Sequence, residues 1–106
     1  MNANIAILQF IALRRRLTDE EWETVDRIVK NCLPAFHEFM AVCKEAVGIA
    51  GYRVCLLLRL SVRGKDIAQM LGIRPPYVSK LSAKVLLRLW GETGSGKMLR
   101  ARLAGE

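Results

Sequence analysis

Residues 64–83 read GKDIAQMLGIRPPYVSKLSA, and the order of small and apolar side chains in this stretch decides the fold. With Gly64 as position one, Ile67, Leu71, Ile73, Val78 and Leu81 fall at four, eight, ten, fifteen and eighteen. At that spacing two short helices cross over a tight turn and bury one shared face. Ala68 is small enough for the second helix to approach closely. Gly72 gives the turn a backbone conformation that a side chain would resist. The motif core is therefore Ile67, Ala68, Leu71, Gly72, Ile73, Val78 and Leu81, the arrangement of a helix-turn-helix.

Outward from the motif, the rest of the chain also reads as helix. It has 106 residues, 52% of them hydrophobic, enough for one domain with its own core. No stretch alternates with period two between glycine-rich turns, so strands are not expected. Thr18 followed by Glu21 is a capping box that starts a helix at Asp19, with Trp22, Val25, Ile28, Val29 and Cys32 as its buried stripe. Pro34 suits the first turn of a second helix carrying Phe36, Phe39, Met40, Cys43 and Val47, which ends in the Gly48 to Gly51 region. Tyr52 to Val62 is apolar nearly all round and reads as a central helix surrounded by others. The motif helices follow at about Lys65 to Leu71 and Pro75 to Trp90, with Gly91 as the stop. Ser95 is placed to cap a last short helix through Leu103. The expected fold is all-α: one helical domain with a tri-helical helix-turn-helix core and N-terminal supporting helices. Residues 1–16 form a packing or dimerisation helix, 17–62 the support, 63–90 the motif, and 91–106 a glycine hinge and short helix.

Charge is unevenly spread. The net charge is +7; residues 1–47 hold six Lys or Arg against seven Asp or Glu, whereas residues 48–106 hold eleven against three. A solvated face would account for basicity alone, but excess cations beside a helix-turn-helix are the footprint of a surface that meets phosphates. The second motif helix buries Val78, Leu81, Val85 and Leu89. Its opposite face then offers the base-reading set Pro76, Tyr77, Ser79, Lys80 and Ala83. Lys80 can donate to guanine O6 and N7, Ser79 to either class of base, and Tyr77 can reach sugar or phosphate. Arg63, Lys65, Arg74, Lys84 and Arg88 read as phosphate contacts. No acidic residue stands between Asp66 and Glu92, an exclusion that a purely structural motif would not require.

Residues 65–90, KDIAQMLGIRPPYVSKLSAKVLLRLW, resemble the helix-turn-helix of sigma-factor region four and of similar response-regulator output domains. Asp66, Ile67, Ala68, Leu71, Gly72, Ile73, Val78, Leu86 and Leu89 carry the likeness. LTDEEW at Leu17, PAFHEFM at Pro34 and VCLLLRL at Val54 extend it, over about residues 17–100, to the output domain that follows tetratricopeptide repeats in bacterial regulators. The resemblance implies sequence-specific binding of double-stranded DNA in the cytoplasm, with Ser79 and Lys80 most directly in the major groove. It also implies RNA polymerase as a candidate partner. Where that family opens the reading helix with a hydroxyl or amide cap, this chain has Arg74, Pro75 and Pro76. Proline is tolerated in a first turn, but two backbone donors to phosphate are lost. Ahead of the central helix, GIAGY stands where the family tends to place an acidic capping segment.

Other classes find little support. Cys32, Cys43 and Cys55 are odd in number and set in apolar helical surroundings, so they read as buried thiols of a reducing compartment, with no metal site. His37 has no partner at metal or catalytic spacing and reads as structural. GETGSGK at residues 91–97 approaches the phosphate-loop pattern, but Met98 stands where its hydroxyl is required. No nucleophile and base, paired carboxylates or metal cluster share a plausible pocket, so neither enzymatic function, a cofactor nor a small-molecule ligand is expected. Ile5 to Leu13 is too short to span a bilayer and is the candidate interface of a homodimer, since dimers read two half-sites. The alternative to DNA readout is a protein-interaction module that docks on transcription machinery or self-associates.

Overall fold

The computed structural model describes residues 2–106, and all its regular structure is helical. In chain order the helices are α1 (Ala3–Ala6), α2 (Leu8–Ile11), α3 (Asp19–Cys32), α4 (Pro34–Arg59), α5 (Gly64–Leu71), α6 (Pro75–Trp90) and α7 (Gly96–Ala104). They pack into a body of 33 × 30 × 21 Å. Among the described residues no helix is long and apolar enough to cross a membrane.

The capping box forms in full at the start of α3: Glu21 N donates to Thr18 Oγ1 at 3.1 Å, and Thr18 N to the Glu21 carboxylate at 2.8 Å. Three acidic residues in the first turn complement the helix dipole. Trp22, Val25 and Val29 are buried, with Ile28 and Cys32 half-buried beside them.

A single helical element replaces the two expected between Pro34 and Val62, but it is broken at Gly48, whose φ of 75° and ψ of 169° are not helical. Helix resumes at once, so Ile49 to Gly51 belong to it. After the break Val54, Cys55, Leu56, Leu57 and Leu58 are all buried, because α3, α5, α6 and α7 all pack against α4. Gly51 lets α6 come close: a Cβ there would stand 3.1 Å from Val85 Cγ2. At the end of α4, Ser61 takes a left-handed conformation (φ 63°) and Val62 N donates to Leu57 O at 3.0 Å.

Three expectations need correction. The N-terminal segment is two short helices, interrupted at Ile7, and its inner side (Ala3, Ile7, Phe10) belongs to the core while Ile5, Leu8 and Leu13 stay exposed. On α6 the buried positions are Val78, Ser82, Val85 and Leu86, with Leu81 and Leu89 only half-buried. The reason is α7, which lies along α6 and brings Leu99 and Leu103 fully into the core; a Cβ on Gly96 would sit 3.5 Å from Ser82 Oγ. Ser82 is satisfied within its own helix by donating to Val78 O at 2.8 Å. Residue Ser95 does occupy the N-cap of α7, but its side chain makes no capping hydrogen bond.

Candidate nucleic-acid interface

Helix α5 stops because Gly72 enters the left-handed region (φ 70°, ψ 35°), with Ile73 N donating to Ala68 O at 2.9 Å and Gly72 N to Gln69 O at 3.1 Å. Ile67 and Ala68 are buried beneath this turn, while Leu71 and Ile73 are half-buried. Arg74 is extended (φ −78°, ψ 147°), as its position before proline requires, and α6 opens with Pro75 and Pro76. Gly91 ends it at φ 66°. A rigid rod is thus anchored along one side and free along the other.

On the free side Pro76, Tyr77, Ser79, Lys80 and Lys84 are exposed. Ala83 departs from expectation: it is half-buried, because the contact with α7 widens the inner face of α6. Lys80 Nζ lies 5.3 Å from the Tyr77 ring centroid, so the ammonium and the ring hold each other at one spot one turn into α6. Leu87 is exposed on the same helix.

Arg63 holds the N-cap position of α5 and Lys65 its first turn; both are exposed, as are Arg74 and Arg88. Among the described residues, none of Arg63, Lys65, Arg74, Lys80, Lys84 and Arg88 forms an ion pair. Arg102, by contrast, is neutralised: its Nε and Nη2 meet the Glu92 carboxylate at 2.6 Å each, which holds Glu92 below the usual carboxylate range. The acid that follows the basic stretch is thereby engaged by a cation of α7.

The sequence reading missed two arginines. Gln69 Nε2 donates to Arg14 O at 2.9 Å and Leu17 N to Met70 O at 2.9 Å, which ties the segment after α2 along α5. Arg16 consequently lies over the turn: a Cβ on Gly72 would fall 2.8 Å from Arg16 Cδ. The run of arginines at residues 14–16 was visible in the sequence; its place beside a turn 55 residues away was not.

His37 also has a partner that spacing did not reveal. Its Nε2 is 3.1 Å from Asp26 Oδ2, and the Tyr52 hydroxyl donates to Asp26 Oδ1. Burial pushes the Asp26 carboxyl up, but the hydrogen bonds from Tyr52 and His37 outweigh it and leave the group below its ordinary value. Burial and the adjacent carboxylate push the Tyr52 hydroxyl well above its own. Since His37 precedes Gly48 and Tyr52 follows it, Asp26 clasps both parts of α4 to α3. A cleft of about 470 Å³ opens beside the clasp, walled by Trp22, Tyr52 and Leu56. Both carboxylate oxygens of Asp26 are already engaged.

Burial pushes the Cys55 thiol up to about 12, whereas Cys32, at the last position of α3, and Cys43 are half-buried rather than buried as expected. Among the described residues no cluster of His, Cys, Asp or Glu could hold a metal ion. The glycine-rich segment joins α6 to α7, and Gly94 is crowded by Met98 and Leu86: a Cβ there would meet Met98 Sδ at 2.6 Å and Leu86 Cδ2 at 3.0 Å. No family model, curated protein sequence or solved structure matches this chain.

Proposed function

We propose that this chain is a sequence-specific double-stranded DNA-binding domain of a bacterial transcription regulator, with α6 as the helix that enters the major groove. The observation that carries the reading is the free side of α6. It holds Lys80 and Lys84 unpaired and Tyr77 and Ser79 exposed, and no acidic residue stands between Asp66 and Glu92. Lys80 and Ser79 serve as donors to base edges, with Pro76 and Tyr77 completing the reading surface. Arg63, Lys65, Arg74, Lys84 and Arg88 set the register on phosphates. The likeness of residues 65–90 to sigma-factor region four supports the same reading and adds RNA polymerase as a candidate partner. Two copies would read two half-sites, with exposed Ile5, Leu8 and Leu13 as the face available for pairing.

Exposed Leu87 and Tyr77 favour a second reading, a protein-docking module on the same helix. Fluorescence anisotropy with mixed-sequence duplex DNA at several salt concentrations separates the two. For DNA binding, affinity falls steeply with salt, and Lys80→Ala with Lys84→Ala makes the slope of log K on log salt shallower by about 0.9, for the one phosphate contact of Lys84, while the loss of Lys80 from base edges lowers affinity and discrimination between sequences. Absence of binding at low salt assigns the face to a protein partner. Binding that the double variant leaves unchanged removes α6 from the groove.

A further inference from the structure

Three consecutive arginines precede Leu17, and the fold treats them differently. Arg15 turns to Glu21, with Nη1 and Nη2 at 2.8 and 2.9 Å from the two carboxylate oxygens, so its charge is neutralised locally. Arg14 and Arg16 are exposed, and among the described residues neither forms an ion pair. Their placement is held from both sides. The Arg14 backbone is in the left-handed region at φ 52°, which an arginine adopts only where surrounding contacts fix it. Gln69 supplies such a contact through the Arg14 carbonyl. Leu17 is bonded to Met70, and the stem of Arg16 rests on the one residue of the turn that has no side chain, Gly72.

Arg74 stands two residues beyond Gly72, as the N-cap of α6. The start of a helix ordinarily offers free amides to a phosphate, but Pro75 and Pro76 remove two of them. Any phosphate near the start of α6 must therefore be held mainly by side chains, and guanidinium forks fit its oxygens best. The stem of Arg16 lies on that turn, Arg74 follows it by two residues, and the backbone of Arg14 is tied to α5 just before it, so three unpaired arginines border the turn.

We infer that Arg14 and Arg16, carried on the N-terminal arm, form with Arg74 a second phosphodiester-binding shelf at the turn between α5 and α6. The shelf rests on the DNA reading above and gives it an extra pair of backbone contacts outside the helix-turn-helix itself. It also gives residues 14–16 a function that packing alone does not explain.

The test is anisotropy with mixed-sequence duplex DNA from 50 to 200 mM salt, on the full chain and four variants. These are Arg14→Gln with Arg16→Gln, Arg14→Lys with Arg16→Lys, Arg15→Gln, and Lys80→Ala with Lys84→Ala. The double glutamine variant is expected to make the slope of log K on log salt shallower by about 1.8, which reduces the loss of affinity over this range by about tenfold. The double lysine variant is expected to keep the slope, which separates charge from packing. Arg15→Gln removes one formal charge from the same run, as Arg16→Gln alone does, and is expected to leave the slope unchanged. If the Lys80 and Lys84 variant lowers the slope but the double glutamine variant does not, or if Arg15→Gln lowers it as much per charge removed, the shelf is overturned and the DNA reading stands. If the unmodified chain does not bind at 50 mM salt, both fall. Thermal melting by circular dichroism monitors the fold; should the double glutamine variant not fold, Arg16→Gln alone carries the test with half the slope change.

Discussion

Gly72 and Gly91 end successive helices in almost the same backbone conformation, at φ 70° and 66°, yet their surroundings differ. Around Gly91 a Cβ would meet nothing within 4 Å, whereas at Gly72 it would fall 2.8 Å from Arg16 Cδ and 3.1 Å from Arg16 Cγ. The left-handed conformation alone penalises an alanine by about 1 kcal/mol, and the unfolded-state effect of replacing glycine is common to both sites. Gly91→Ala is therefore expected to cost about 1 kcal/mol. At Gly72 the Arg16 stem must also leave its place, which adds about 0.5–1.5 kcal/mol for a strained rotamer. With roughly 4–8 °C of melting temperature per kcal/mol for a domain of this size, Gly72→Ala should melt about 5 °C below Gly91→Ala. A double-mutant cycle identifies the cause: in an Arg16→Ala background, Gly72→Ala should fall to the cost of Gly91→Ala. Equal melting losses at the two glycines, or a Gly72→Ala effect that ignores Arg16, would refute the contact between arm and turn.

Leu86 is fully buried on α6, which packs against both α4 and α7, and Leu86→Ala should lose about 2–5 kcal/mol in denaturant titration. The Asp26 clasp gives stability two pH limbs. A carboxyl held below its ordinary value of 3.8 stabilises the fold fully above that pH and is lost as pH falls through the lower folded value, so Asp26→Asn should flatten the acid limb of a melting series. A hydroxyl held above its ordinary value of 10.0 stabilises fully below that pH and is lost as pH rises, so Tyr52→Phe should flatten the alkaline limb. Unchanged limbs in these variants would mean that the clasp is not coupled to folding.

Where a structural decision is local, the sequence carries it. Thr18 and Glu21 are three residues apart, so their reciprocal bonds are legible as a pattern; Gly72, Gly91 and the Arg74–Pro75 pair declare their backbone conformations by residue type. The continuous apolar run from Val54 to Leu58 likewise announces a helix covered on every side. What escaped reading depends on segments distant along the chain. Ser82 and Leu86 share the helical period of Val78, but their full burial, with Leu81 and Leu89 left half-buried, depends on α7 returning over α6. Asp26, His37 and Tyr52 meet only once α4 has bent at Gly48. For the candidate interface, the exposed lysines of α6 follow from helical spacing, whereas Arg16 reaches the turn through hydrogen bonds to Gln69 and Met70 that leave no local trace.

Those two bonds also bear on the order in which the chain assembles. Contacts between α5 and α6 close over a short loop, while the Arg14–Gln69 bond joins residues 55 apart, and longer closures carry a larger entropy penalty before any contact rewards them. The arm is therefore expected to dock late and to release early, ahead of global unfolding. Its opening is written in a single amide, Leu17 N–H, whose acceptor is the Met70 carbonyl. Hydrogen exchange at that one position is a clock for the arm, and its rate, set against those of the core amides of α4, measures how often residues 14–16 stand away from the turn.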